Sequence, residues 1–192
     1  MLQSVSPPPR KRSERQLLPV LYPTIAFFDL SLTGTGVALY KNGEITTELW
    51  KSKLKGVERL AELDSMMRSF LMREYPTYVG IEGYSFGSKN SRAHSIGEWG
   101  GVAKLAVRSR PRIQAFLCPP TTVKKFITGS GGAAKSEIPL HLYKRYGIDK
   151  GQEDEADAAS GSILIGAHLY ADAFPALTLF QRDAFKGIEP MT

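Results

Sequence analysis

The chain has one cysteine, three histidines and two tryptophans in 192 residues. A lone thiol excludes an intrachain disulfide. Cys118 ends the strand-like run IQAFLC with no histidine near it in sequence, so a buried, inert thiol is expected rather than a nucleophile. His94, His141 and His168 lack the spacing of metal ligands, which argues against a histidine-based metal centre. No apolar run reaches the roughly 20 residues of a membrane span, and the N-terminus has no secretory core. A soluble, intracellular protein with no membrane partner is the expectation. Acidic residues are nearly missing from one long stretch. Between Lys104 and Arg145 stand nine bases (Lys104, Arg108, Arg110, Arg112, Lys124, Lys125, Lys135, Lys144, Arg145) and one acid, Glu137. A solvated helix face explains most charge runs, but it normally intersperses acids, so this block points to a polyanion such as nucleic acid.

What is present is the apolar content of an ordinary globular chain, 42% of residues, with a net charge of +6. That length supports one α/β core. Residues 1–23 contain SPPPRKRSERQ, without apolar periodicity, and read as a disordered basic arm. Residues 24–171 form the expected folded domain and 172–192 a C-terminal extension. TIAFFDL, VALYKNG and EITTELW read as three strands, the last two joined at Asn42-Gly43, a strong hairpin signal. Leu60, Leu63, Met67, Phe70 and Leu71 recur at helical spacing in a segment stopped by Pro76. TYVGIE is a fourth strand, residues 93–109 a helix containing Gly97, Gly100 and Gly101, and RIQAFLC a fifth strand. Those glycines suit close packing against the sheet or a second subunit. A short helix TTVKKFIT is expected to be capped by Thr121 or Thr122, followed by the helices KSEIPLHLYKRYG and EDEADAASGSILIGAHLY. The fold class is therefore α/β, a mixed sheet combining an antiparallel hairpin with parallel crossovers.

Four carboxylates sit at the ends of regular elements, where folds gather functional groups. Asp29 follows IAFF, Glu82 follows VGI, and Asp154 and Asp157 open the last long helix. Spaced i and i+3, Asp154 and Asp157 share a helical face that Glu155 does not. Acids in a first turn favour the helix dipole, and Asp at a strand exit often caps a turn. Those readings suffice for each residue alone. Asp157, however, lies among Ala156, Ala158 and Ala159 on a helix bound for the core, a costly place for an unpaired carboxylate. Several such acids suit Mg²⁺, which prefers oxygen ligands and can organise in-line displacement at phosphorus, with Mn²⁺ as its substitute.

FDLSLTGTG, IEGYSFGSKN, TVKKFITGSGGAAKS and DEADAAS, in that order, resemble the motifs of RuvC-type Holliday junction resolvases, nucleases of the RNase H-like superfamily. The resemblance spans about residues 24–170 and implies an RNase H-like fold. It also implies a homodimer that resolves four-way or other branched DNA by paired nicks. On that likeness Asp29, Glu82, Asp154 and Asp157 are metal-binding acids and Lys135 acts in catalysis. Lys124 and Lys135 contact the scissile phosphate region. In the loop GYSFGSKNSR, Phe86 or Tyr84 is the aromatic wedge, with Lys89 and Arg92 beside DNA. The motif begins Asp29-Leu30-Ser31 where the family usually has Asp-Pro-Gly. Two other readings use the same residues: an RNase H-type hybrid nuclease or non-catalytic nucleic-acid-binding module, and an actin-like ATP-binding kinase fold, for which 192 residues leave little room.

Overall fold

The computed structural model describes residue 19, residues 23–83, 91–174 and 176–192, with residues 91–93 as backbone only. Six strands form one sheet in the order β3-β2-β1-β4-β5-β6. The first three, β1 (Ile25–Asp29), β2 (Thr35–Lys41) and β3 (Glu44–Trp50), are an antiparallel meander. Asn42 and Gly43 both take positive φ, 54° and 80°, as the tight β2–β3 turn requires. Helix α1 (Gly56–Glu74) ends with Tyr75 in the left-handed region, directly before Pro76. It leads to β4 (Tyr78–Glu82), which lies parallel to β1. Helix α2 (Ser91–Arg108) then crosses to β5 (Gln114–Cys118), parallel to β4.

Strand β1 and most of β2 are buried on both faces of the sheet. Ile25 and Phe27 pack on one side with helix α5 (Glu153–Leu169), α3 (Pro120–Thr128) and α4 (Glu137–Tyr146). Ala26 and Phe28 pack on the other with α1 and α2. A central strand flanked by helices on both faces must be apolar throughout, which is why β1 reads IAFF without alternation.

Helix α3 starts at Pro120 with Pro119 as its extended cap residue, rather than at a threonine. Proline's fixed φ suits the first helical position, where its missing N–H costs nothing. Thr122 is buried instead, packed against Gly187 near the chain end. The C-terminal segment adds two elements that sequence patterning does not announce. Helix α6 (Leu179–Ala184) docks on α3, and β6 (Glu189–Pro190) pairs antiparallel with Phe116 and Leu117 of β5. The Met191 N–H donates to the Ala115 carbonyl at 2.8 Å, closing that sheet edge.

Small residues bring α5 onto the sheet. A Cβ on Gly161 would lie 2.3 Å from the Phe27 ring, and one on Gly80 of β4 would lie 2.4 Å from the same ring. At Gly36 of β2, a Cβ would stand 2.1 Å from the Asp154 carbonyl oxygen. Gly36 is the register partner of Asp29, so this bare position lets the first turn of α5 settle beside the end of β1. Because the obstacle is helix backbone, a methyl group here has to displace the turn. Gly36→Ala is expected to lower stability by about 1–3 kcal/mol, measured by urea unfolding followed by circular dichroism. An unchanged midpoint would show that α5 is not seated this closely.

Candidate functional site

Asp29 is delivered by the end of β1, and Asp154 and Asp157 by the start of α5. One carboxylate oxygen from each of these lies within 4.8 Å of the others. Asp29 and Asp157 are buried, with 5% and 3% of their surface exposed. Glu155 turns away, accepting a hydrogen bond from the Thr47 hydroxyl at 2.7 Å, as its helical position requires. The turn after Asp29 is tied down from two directions. The Thr35 hydroxyl donates to the Ser31 carbonyl at 3.0 Å, and the indole N–H of the fully buried Trp99 donates to Thr35 Oγ1 at 3.1 Å. Thr35 falls within the segment FDLSLTGTG, but nothing in the sequence pairs it with Trp99; that contact emerges only from α2 crossing over this turn.

Lys135, in the connection before α4, enters the acidic cluster. Its Nζ stands 3.1 Å from Asp154 Oδ1, 3.1 Å from Asp157 Oδ2 and 3.9 Å from Asp29 Oδ2. Glu82, at the end of β4, and Lys124, on α3, join Lys135 and Asp157 around a cavity of about 230 Å³. Four of the expected site residues therefore converge directly, and Glu82 and Lys124 border the same space. Tyr84, Phe86 and Lys89 lie outside the described residues, and Arg92 is described only as backbone in the first turn of α2.

The basic block separates in space. Lys124 and Lys135 reach the cavity, whereas Arg108, Arg110 and Arg112 precede β5 at the opposite end of the sheet. Lys125, of the same basic block, pairs with Asp183 of α6. Arg145 donates to Gln181 Oε1 at 2.9 Å and lies over the Phe180 ring. A five-residue strand crossing the sheet splits what is contiguous in sequence.

Burial raises the Asp29 carboxyl from its ordinary 3.8 to about 7; the Lys135 charge opposes this, and Asp157 and Asp154 reinforce it. Burial also pushes Glu82 well above the carboxylate range, with Asp29 and Asp157 adding repulsion, and it raises Asp157 against the pull of Lys135. Burial disfavours the Lys135 ammonium, but Asp29 and Asp157 more than reverse this and hold it above the usual lysine range. One ammonium does not satisfy the cluster. Asp29 Oδ2 and Asp157 Oδ1 are buried without a hydrogen-bond donor among the described residues. Hard oxygen donors, closely grouped, partly buried and short of positive charge, are the donor set of a divalent cation. Cys118, paired in register with Glu82, is buried, and burial together with the Glu82 charge keeps its thiol protonated.

The sign of the pH dependence follows from Asp29. Its folded value lies above its unfolded one, so protonation stabilises the metal-free fold. That contribution is complete below the ordinary 3.8 and is lost as pH rises through about 7. Asp29→Asn is expected to raise metal-free stability at about pH 8 by roughly 1–3 kcal/mol and to flatten the loss between acid and neutral pH. Thermal melts of both proteins in chelator across that range test it, and parallel curves would remove Asp29 as the responsible group.

The sequence profile of the family described as crossover junction endodeoxyribonuclease RuvC matches residues 30–163, a span holding Glu82, Lys124, Lys135, Asp154 and Asp157 and beginning one residue after Asp29. The chain is 28% identical over 134 residues to the crossover junction endodeoxyribonuclease RuvC of Carboxydothermus hydrogenoformans, covering 67% of this chain and 84% of that protein. It is 29% identical over 113 residues to the Chloroflexus aggregans enzyme of the same description, covering 59% and 68%. Among solved structures, Thermus thermophilus RuvC shares the fold with a TM-score of 0.63 at 20% identity, covering 88% of this chain and 99% of that one. The same protein in complex with a Holliday junction substrate superposes with a TM-score of 0.65 at 19% identity and the same coverage. The mixed sheet is thus the RNase H-like arrangement anticipated from the motifs, and the chain belongs to the crossover junction endodeoxyribonuclease RuvC family.

Proposed function

We propose that this chain is a Mg²⁺-dependent endonuclease that resolves four-way DNA junctions as a homodimer, one nick per active site. The observation that carries the reading is the convergence of Asp29, Asp154 and Asp157 within 4.8 Å, beside a cavity lined by Glu82, Lys124 and Lys135. Asp29, Glu82, Asp154 and Asp157 hold the metal, which when bound supplies Lewis acidity at phosphorus and a readily ionised water. Mn²⁺ serves in its place because the same oxygen donors accept it. Lys124, on the cavity wall, holds the scissile phosphate, while Tyr84 or Phe86, with Lys89 and Arg92, contacts the opened junction.

Lys135 has two tasks on this reading. Without metal, its ammonium stands among Asp154, Asp157 and Asp29 and offsets their repulsion. With metal and DNA bound, it turns from the carboxylates to the phosphate and stabilises the charge developing there. The lysine and the metal compete for the same oxygens.

The dimer surface is the outer side of α2. Trp99, Ala103, Ala106 and Val107 face the core. Gly101 and Leu105, one turn apart, face outward; a Cβ on Gly101 would meet nothing within 4 Å, and Leu105 is 66% exposed. A bare glycine next to an exposed leucine suits close approach by a second helix.

Cleavage assays on a four-way junction, a flap, a linear duplex and an RNA–DNA hybrid test the substrate class. Preference for the junction is expected, and preference for the hybrid would assign the chain to RNase H-type chemistry. Asp29→Asn and Asp157→Asn should each lower nicking by at least about 10³-fold while leaving junction affinity intact. Wild-type nicking by either variant would overturn the metal-ligand assignment. For Lys135→Ala, calorimetric titration with Mn²⁺ should show about tenfold tighter binding, and turnover should fall by roughly 10²–10³-fold. Weaker Mn²⁺ binding in that variant would rule out competition.

A further inference from the structure

Strands β1, β4 and β5 run parallel, so the carboxylates gather where the strands end, and the strand starts form the other end of the sheet. There the connection from α1 to β4 and the connection from α2 to β5 enclose a cavity of about 360 Å³. Its apolar lining includes Leu71, Pro76 and Ile113, and its polar and aromatic lining includes Tyr75, Arg110 and Arg112. A second cavity of about 170 Å³ shares Arg110 and Ile113 and reaches Arg108 and Met191. The two cavities adjoin along Arg110, Pro111 and Ile113, roughly 15 Å from the carboxylates by the length of a five-residue strand.

Three arginines fall within five residues, Arg108-Ser109-Arg110-Pro111-Arg112, with no acid between them. Nearby Arg68 and Arg73 form ion pairs with Asp64, Glu48 and Glu74, but no carboxylate pairs with Arg108, Arg110 or Arg112 among the described residues. Arg110 Nε is buried without an acceptor. A buried donor lacking an acceptor, beside an apolar hollow and two further cations, is matched by a ligand with both carboxylates and a bulky apolar group. Tyr75 stands at the rim, 68% exposed. Duplex DNA has the charge but presents it on a convex backbone with no side chain to fill the hollow. The chain's own N-terminal arm, with Arg10, Lys11, Arg12 and Arg15 against Glu14, has the wrong sign.

We propose that this groove docks an acidic segment of a partner protein, with one large apolar side chain in the larger cavity and flanking carboxylates on Arg110 and Arg112. The site is separate from the nuclease centre and does not rest on that reading.

The probe is a fluorescein-labelled peptide, Asp-Glu-Phe-Asp-Glu, titrated into the full chain and followed by fluorescence anisotropy. Saturable binding is expected, weakened at least about tenfold by the exposed variant Arg112→Glu and likewise by replacing the peptide's Phe with Ser. Arg112 lies on the surface beyond the end of α2, so the fold is retained, checked by an unchanged melt and unchanged junction cleavage. The proposal is overturned by an absence of saturable binding, or by equal binding to that variant. Equal binding of the Ser peptide would reduce the groove to a general electrostatic patch. If a short linear duplex displaces the peptide as well as unlabelled peptide does, the groove is a DNA contact instead.

Discussion

An ammonium held among carboxylates is the interaction on which the active end of this fold depends. Lys135 is within 3.1 Å of both Asp154 and Asp157, and it approaches Asp29 where burial alone would drive the acid to its neutral form. Grouping acids this closely in a partly dry place is unfavourable unless positive charge is supplied. The lysine supplies some of it and leaves two buried oxygens without donors. The cluster is therefore tolerated rather than satisfied, and a divalent cation is the kind of group that would offset the residual deficit.

The frame that imposes this grouping is built from close approach. Gly36 lets the backbone of Asp154 rest on β2, Trp99 and Thr35 fix the turn after Asp29, and the run of alanine, serine and glycine in α5 keeps the helix near the sheet. Buried Ser160 and Ser162 donate to the Ala156 and Ala159 carbonyls at 2.7 Å, so the helix carries hydroxyls inward without orphaning them. Each of these features serves packing, and together they set the distances between the carboxylates.

Much of this was readable from residue order because the informative signals are local. The Asn42-Gly43 turn, the α1 stripe of Leu63, Met67 and Phe70, and carboxylates ending apolar runs each report their own element. Signals that depend on tertiary pairing were silent. Strand β6 is two residues held by backbone bonds to β5, with no alternation to detect, and the partner of Lys125 is Asp183, 58 positions away. The basic block was the instructive case. Its density in sequence suggested one cationic face, whereas the strand running through it sends Lys124 and Lys135 to one end of the sheet and Arg108, Arg110 and Arg112 to the other. A charge run reports composition, and only topology reports which cations act together.

The Phe27 ring is clasped between the bare positions Gly80 and Gly161, one on the neighbouring strand and one on the helix above. Its size is thus shared among three places in the chain. A methyl at 80 or 161 would have to be met by the loss of ring atoms at 27, so the volume of this spot in the core is set by three residues jointly and not by any one of them.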